Sequence, residues 1–475
     1  MTALDETKRT RTLWGLRRTD SLVVAGIAVP ALTWAFLNFG MTLAFGHPST
    51  DTRELPYVEV ALQGLLALGV LVVLPNRSRL WWWVILVPLP AWTLVRAVMT
   101  GTSPVWAVLL SVLLLSPILS VLLACQATER ITRALRIAFI AIMASQLLVF
   151  PLNLLGWLAD DTAIPLDRFS GTLLGRGGYF SSYILLAGAF FLAATRVRPW
   201  LKVMTFIVVL AYAWVAEVKL IFFVTGVVLA TVLLFTCTRR RAVLMVPGAI
   251  VAACVGLLLS LAVPSSYGLQ RDNYDYQFGD AQQSFTLLEK LTETQADFSP
   301  SASQTGETNG SKIAATIAVL SPTSNLWSQA SDTALLGVGP SGGLSHLARI
   351  ADAYGPLADQ IRPQPDFREE ARSLAGSRQR DQSLATQPES TINGVVSEIG
   401  YVGLLLFLSS FILAVWMSLK VFTRAAVGVF VGFAMAFVPL FSLWETPGFW
   451  MVVALGMASL GQKSTLSQLP HSATN

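Results

Sequence analysis

Apolar runs of 17 to 26 residues recur along the chain, at about 21–45, 56–75, 80–99, 104–126, 134–158, 178–195, 200–216, 220–237, 242–263, 394–419, 424–441 and 444–461. At about 1.5 Å of rise per residue, each is long enough for a helix to cross about 30 Å of hydrocarbon. The pattern predicts an all-α polytopic membrane protein with twelve spans. One stretch breaks the rhythm. Residues 264–391 are polar, which divides the chain into helices 1–9 (residues 1–263), a loop domain (264–391), and helices 10–12 with a tail (392–475).

The connections carry an uneven charge. Nineteen Lys and Arg fall on alternate connections, among them Lys8, Arg18, Arg130, Arg133, Arg136, Arg198, Arg239, Arg240, Arg241, Lys420, Arg424 and Lys463. The other side, apart from the insert, holds only Arg53, Arg96, Arg168, Arg176 and Lys219. Because cytoplasmic loops are enriched in Lys and Arg, both termini are expected in the cytoplasm and the insert outside. Acids agree with this. Asp51, Glu54, Glu59, Asp160, Asp161, Asp167, Glu217, Glu398 and Glu445 map to the outer ends of the runs. Ionisable groups in apolar runs are expensive and tend to face a cavity or a partner. Glu59, Arg96, Glu217, Lys219 and Glu398 therefore suggest a polar chamber near the outer leaflet. Snorkelling to the interface is the plain alternative, above all for Glu59, Arg96 and Glu445.

Composition supports the membrane reading. Hydrophobic residues make up 54% and charged residues 13%, with mean hydropathy +0.60; a soluble domain is about a quarter charged. Net charge is +5, but the insert alone is −6, so the rest carries +11. A basic balance of this kind suits a membrane surface better than nucleic acid. Cys125, Cys237 and Cys254 lie in or beside apolar runs, and the spacing suggests no disulfide framework. Three scattered histidines suggest no metal site. The first run reads as a retained span rather than a cleaved signal.

Three places carry candidate chemistry. In Ala216-Glu-Val-Lys-Leu220, two short spans meet, and the tight turn draws Glu217 and Lys219 toward the hydrocarbon edge. A mutually neutralising pair is the simpler reading. In Asp167-Arg-Phe-Ser-Gly-Thr-Leu-Leu-Gly-Arg-Gly-Gly178, Arg168 and Arg176 sit in a glycine-rich loop, and guanidinium forks match phosphate oxygens in pairs. Ordinary headgroup contact is the alternative. In the insert, Gly337-Val-Gly-Pro-Ser-Gly-Gly343 is a turn whose backbone N–H groups could meet an anion, or a plain tight turn at Pro340. Helices are expected at 280–292, 311–320, 325–336 and 343–354, the middle two apolar enough to lie on a membrane surface. The last would put His346 and Arg349 on one face.

These residues together resemble a known family. Arg168-Phe-Ser-Gly-Thr172, Glu217-Val-Lys219, Gly337-Val-Gly-Pro340 in a long insert, and Glu398-Ile-Gly-Tyr-Val-Gly403 after it are similar to the O-antigen polymerase and O-antigen ligase superfamily. The resemblance covers most of the chain from about residue 130. It implies a bacterial inner-membrane glycosyltransferase that moves an oligosaccharide from a polyprenyl diphosphate carrier to an acceptor hydroxyl on the outer face. Arg168, Arg176 and Lys219 would then hold the diphosphate, and Glu217 and His346 are alternative bases. Arg349 and Glu398 would contact glycan or order the loop. Ligases commonly carry a histidine-rich motif before the tenth span, where this chain has Glu389-Ser-Thr-Ile-Asn393. That departure favours a polymerase of capsule or exopolysaccharide repeat units. No cofactor or metal is implied. The partners implied are the lipid-linked donor, membrane lipid, a chain-length regulator and a flippase. A transporter of lipid-linked oligosaccharides is the competing reading.

Overall fold

Backbone amides that leave water must be hydrogen-bonded, and a helix satisfies them within its own segment. The computed structural model describes residues 18–45, 83–154, 171–173, 178–195, 197–216, 218, 220–262, 312–324, 326–327, 334–345, 347, 390–438 and 445–462. These residues are 84% helical with no strand. The helices are α1 (Arg18–Phe45), α2 (Pro88–Thr100), α3 (Pro104–Ala124), α4 (Glu129–Leu154), α5 (Gly178–Ala193) and α6 (Pro199–Val215). Then come α7 (Ile221–Thr236), α8 (Arg239–Ala262), α9 (Lys312–Leu320), α10 (Thr391–Val421), α11 (Arg424–Phe437) and α12 (Pro447–Leu460). Six of them (α1, α2 with its preceding turn, α3, α4, α8 and α10) are long and apolar enough to cross a membrane, and α5, α6, α7, α11 and α12 are shorter apolar helices. The chain is a helical, membrane-embedded protein. The run at 56–75 and the helix expected at 280–292 lie outside the described residues.

Boundaries differ where basic residues extend a helix. α4 starts at Glu129 rather than 134, since Arg130, Arg133 and Arg136 are good helix formers and Glu129 complements the positive N-terminus. The proline inside α3 is accommodated locally. Pro117 of α3 cannot donate to the Leu113 carbonyl, and the Ser116 hydroxyl donates to that oxygen instead, at 2.9 Å.

α12 is the hub. It is apolar all round, and every residue from Pro447 to Ser459 is buried, as a helix of that pattern requires. α1, α3, α4, α5 and α11 pack against it. Its contacts are aromatic: Phe437 of α11 lies 5.0 Å from Phe449 between ring centroids with the rings tilted, and Phe430 lies edge-on to Trp450 at 5.7 Å. In lipid, helices associate through close packing rather than through loss of water, so small residues mark the tightest approaches. Gly428 and Gly432 of α11 lie on α7, where added Cβ atoms would fall 2.9 Å from the Val232 Cα and 2.6 Å from the Val228 Cα. Gly226 of α7 meets Ala253 of α8 in the same way.

The two ends of the bundle differ chemically. At one end α1 begins, α3 meets α4, α10 meets α11, and α12 stops. Arg18, Arg130, Arg133, Arg136, Arg198, Lys202, Arg239, Arg240, Arg241, Lys420 and Arg424 are all placed there by the helices they begin or end. At this basic end Thr128 donates to Asp20 at 3.0 Å, Gln462 donates to the Ala127 carbonyl at 2.9 Å, and Arg136 donates to the Ser459 carbonyl at 3.0 Å. The opposite end receives the insert.

Replacing Gly432 by Leu should lower stability by roughly 1–3 kcal/mol, the usual cost of overpacking, because Val228 backbone cannot retreat. Gly248→Ala on the exposed face of α8, where no atom lies within 4 Å of the added Cβ, should cost nothing measurable. Denaturant titration of the detergent-purified protein compares the two.

Candidate functional site

α10 is not continuous. Gly400 has φ 70° and ψ −175°, a conformation favoured only in glycine, and it splits the helix into 391–399 and 401–421. A break inside an apolar helix orphans the amides on both sides. Here the insert takes them up. The carbonyls of Ser397 and Glu398 accept from the backbone N–H of Val338 at 2.7 Å and Gly339 at 2.9 Å. The Ile399 carbonyl accepts from the Trp92 indole of α2 at 2.9 Å. In return the N–H groups of Tyr401 and Val402 donate to the carbonyls of Ala334 at 3.0 Å and Leu335 at 3.3 Å. The approach is backbone to backbone. A Cβ on Gly337 would lie 2.6 Å from the backbone of Glu398, Ile399 and Gly400.

Residues 337–345 then curl around the carboxylate of Glu398, which is wholly buried. Its two oxygens accept from the backbone N–H of Ser341 at 3.0 Å and Ser345 at 3.2 Å. Ser397 accepts from the Leu344 N–H at 2.9 Å. Converging backbone N–H groups of this kind form an anion-binding concavity, and the anion in it is the chain's own. Ser341 is held at φ 66° by this arrangement. Arg96 of α2, 2% exposed, donates to the carbonyl of Gly337 at the mouth of the same loop. Arg96 does not snorkel, and neither does Glu445, which is buried at the start of α12.

The helix expected from Gly343 is absent at 343–345, which form a bend. Glu398 draws the Ser341 and Ser345 N–H groups inward, and Gly343 and Gly394 bring the two segments too close for a helix between them. The helix expected at 311–320 is α9, and of the one expected at 325–336, Leu326 and Trp327 are helical while 334–336 form a turn. Val319, Leu326, Trp327, Ala334, Val338 and Leu344 share a small apolar core with Val396 of α10. From Trp416, whose ring lies under the Lys420 ammonium, back to Tyr401 is 15 residues, or about 22 Å of continuous helix. The sealed break therefore lies toward the end of the bundle opposite the basic end.

A second polar feature lies at the same end, between α4, α5 and α6. The Gln146 carboxamide, wholly buried, donates to the Thr172 hydroxyl at 2.6 Å and accepts from the Thr172 N–H at 3.1 Å. Gly171 has φ 63°, and a Cβ there would run into the Gln146 side chain and come within 3.3 Å of Ser181. Ser181 of α5 in turn shares a hydrogen bond with the Tyr212 hydroxyl of α6 at 3.0 Å. One residue beyond Tyr212, the Ala213 carbonyl accepts from the Val218 N–H at 2.9 Å, which closes the turn after α6.

Of the site residues expected from the sequence, Glu398 is described and its carboxylate orders the insert loop. Arg168, Arg176, Glu217, Lys219, His346 and Arg349 lie outside the described residues, as does Glu59. Their described neighbours are informative. Thr172 stands four residues from both Arg168 and Arg176, and Val218 stands between Glu217 and Lys219. Gln146 holds the first place, and Ser181, packed against Gly171, shares a hydrogen bond with Tyr212 beside the second. Sequence reading passed over Gln146, although a lone carboxamide inside an apolar run is a usable signal. Among the described residues no group of three or more His, Cys, Asp or Glu is placed to hold a metal ion.

Glu398→Ala leaves two buried N–H groups without an acceptor, at about 1–3 kcal/mol each. Glu398→Gln presents an amide NH₂ to one of them and should be intermediate. Both should speed protease cleavage within 334–345, read by mass spectrometry of timed digests, in the order Ala above Gln above wild type. No protein-family model, curated protein or solved structure matches the chain, so its own residues carry the functional reading.

Proposed function

We propose that the protein is a twelve-span glycosyltransferase of a bacterial inner membrane. It polymerises, or ligates, polyprenyl-diphosphate-linked oligosaccharide units on the outer face, for O-antigen, capsule or exopolysaccharide. Both termini would be cytoplasmic, following the basic end. The observation that supports the reading is the packing of Gly171 against Ser181 of α5, whose hydroxyl shares a hydrogen bond with Tyr212 of α6 just before the turn at Val218, while the adjoining Thr172 of the same turn as Gly171 is held by Gln146 of α4. Those turns belong to the motifs that hold Arg168, Arg176 and Lys219, and the insert is sealed to α10 at the same end of the bundle.

In the proposed reaction the acceptor hydroxyl oxygen attacks the anomeric carbon of the donor sugar. The bond to the diphosphate oxygen breaks with inversion, and the hydroxyl proton passes to Glu217 or His346. Polyprenyl diphosphate leaves as the anion. Its growing charge is met by Arg168, Arg176 and Lys219, and fixed cations in a water-poor site stabilise such charge strongly. The insert excludes water above the sugars, and the chain uses no metal or cofactor in this scheme.

Transport of lipid-linked oligosaccharide would require the basic end to open. The bonds from Thr128 to Asp20, Gln462 to Ala127 and Arg136 to Ser459 oppose that opening. A disulfide cross-link made with Asp20→Cys and Thr128→Cys should leave polymer formation intact; loss of polymer on oxidation, restored by reduction, favours the transporter.

Arg168→Ala and Lys219→Ala should each reduce transfer by about 10²-fold, the scale for losing one group that stabilises developing charge. The measure is polymer length on gels beside the pool of single lipid-linked units. Normal-length polymer from the double variant defeats the enzyme reading.

A further inference from the structure

Beyond the break, α10 turns one apolar stripe outward. Leu405, Leu408 and Ile412 follow one another at three and four residues, and all three are exposed. On a membrane-embedded span a stripe of this spacing is one face of the helix, and lipid covers it. One step further toward the break, four residues before Leu405, the same face reaches Tyr401. That residue carries part of the insert. Its hydroxyl donates to the Leu320 carbonyl at the C-terminus of α9, and its N–H donates to the Ala334 carbonyl at 3.0 Å. The insert is therefore seated on the lipid-facing side of α10, at the perimeter of the bundle.

The side chains it shows there are apolar. Leu335 is 57% exposed, and its depth is fixed by α10, because its carbonyl accepts from the Val402 N–H at 3.3 Å. Ile317 of α9 is 62% exposed and lies two residues from the buried Val319, hence on the opposite side of that helix. Across the loop, Val98 and Met99 of α2 are exposed, and the next residue, Thr100, is so close to Gly339 that a Cβ on the glycine would lie 2.4 Å from its Oγ1. Apolar surface thus borders the loop on both flanks at the level where it mends α10. The polar turn Ser321–Ser324 begins only past the end of α9.

We propose that the insert is anchored in the bilayer: α9 through Ile317 and the following turn through Leu335 are immersed in the leaflet opposite the basic end, as a continuation of the lipid-facing stripe of α10. The partner of this surface is lipid, because the surface is continuous with one that lipid already covers. Contiguous exposed apolar side chains mark an interaction site, and a short helix with one apolar face lies in the interface plane with that face among the acyl chains. Leu335 then gives its carbonyl to the break and its side chain to the membrane, so the bilayer holds the seal at Gly400 in place. The proposal stands independently of the glycosyltransferase reading.

The test uses the full chain in nanodiscs of phosphatidylethanolamine and phosphatidylglycerol, with the photoreactive side chain p-benzoylphenylalanine placed singly at Ile317, Leu335, Leu408 or Thr323. Under ultraviolet light it inserts into a neighbouring C–H bond, and mass spectrometry of the digested protein identifies what was captured. Leu408 reports the lipid face of α10, and Thr323 the polar turn. Positions 317 and 335 should capture phospholipid as 408 does, and 323 should not. Capture of a second copy of the chain or of a co-purified protein at 317 and 335 overturns the anchor, as does loss of the lipid adduct at either position beside a lipid adduct at 408. Equal lipid capture at 323 overturns it too, since immersion would then not follow apolar exposure. Should the probe at 335 prevent folding, Leu335→Asp decides in its place: a carboxylate is costly in hydrocarbon and harmless in water, so faster protease cleavage within 334–345 in nanodiscs is expected, with Leu335→Met unchanged. Cleavage of Leu335→Asp at the wild-type rate puts that side chain in water and overturns the anchor.

Discussion

An amide that loses its helical partner inside hydrocarbon has no water to turn to, and an unsatisfied group there costs several kcal/mol. The break at Gly400 creates this situation on α10, and the surrounding structure answers it. Val338 and Gly339 donate to the freed carbonyls, Ala334 and Leu335 accept from the freed N–H groups, and Trp92 satisfies Ile399. Glycine is required at 337 and 400 because the two backbones must approach within a distance that no Cβ allows. The loop that performs this service has its own N–H groups to satisfy, and Glu398 accepts two of them. A charged side chain in the apolar part of the chain thus follows from the break.

The rest of the bundle divides its labour between packing and polarity. Around α12 the contacts are aromatic and aliphatic, and between α7, α8 and α11 they depend on glycine and alanine. Buried polar side chains cluster toward the ends. Those at the basic end tie helices together, while those at the insert end tie loops to helices. The second kind is what a membrane protein needs if reacting groups are to be held near the surface by rigid elements, since loops alone place side chains loosely.

Much of the architecture was legible because hydrophobic length and charge asymmetry survive without tertiary knowledge. The apolar runs within the described residues are helices, and the described arginines other than Arg96 fall at one end. The break was not legible. Ser397-Glu-Ile-Gly-Tyr-Val-Gly403 averages to an apolar segment, and nothing local says that Gly400 leaves the helical region. The glycine-rich loop was read as a place where N–H groups could meet an anion, which is its geometry, but the anion is a carboxylate 53 to 57 residues further along. Arg96 and Glu445 look like snorkelling residues in one dimension and are buried in three. Gln146 escaped notice because its partner is separated from it by 26 residues and a loop.

The order of segments around the break also bears on biogenesis. Residues 334–345 precede α10 in the chain, and domains of a growing polypeptide organise from the N-terminus. When α10 leaves the ribosome, the segment that mends its interruption has already been made. The helix need never wait, half-satisfied, in the lipid for a later segment to arrive, and a circularly rearranged chain that delivered α10 first would face that delay.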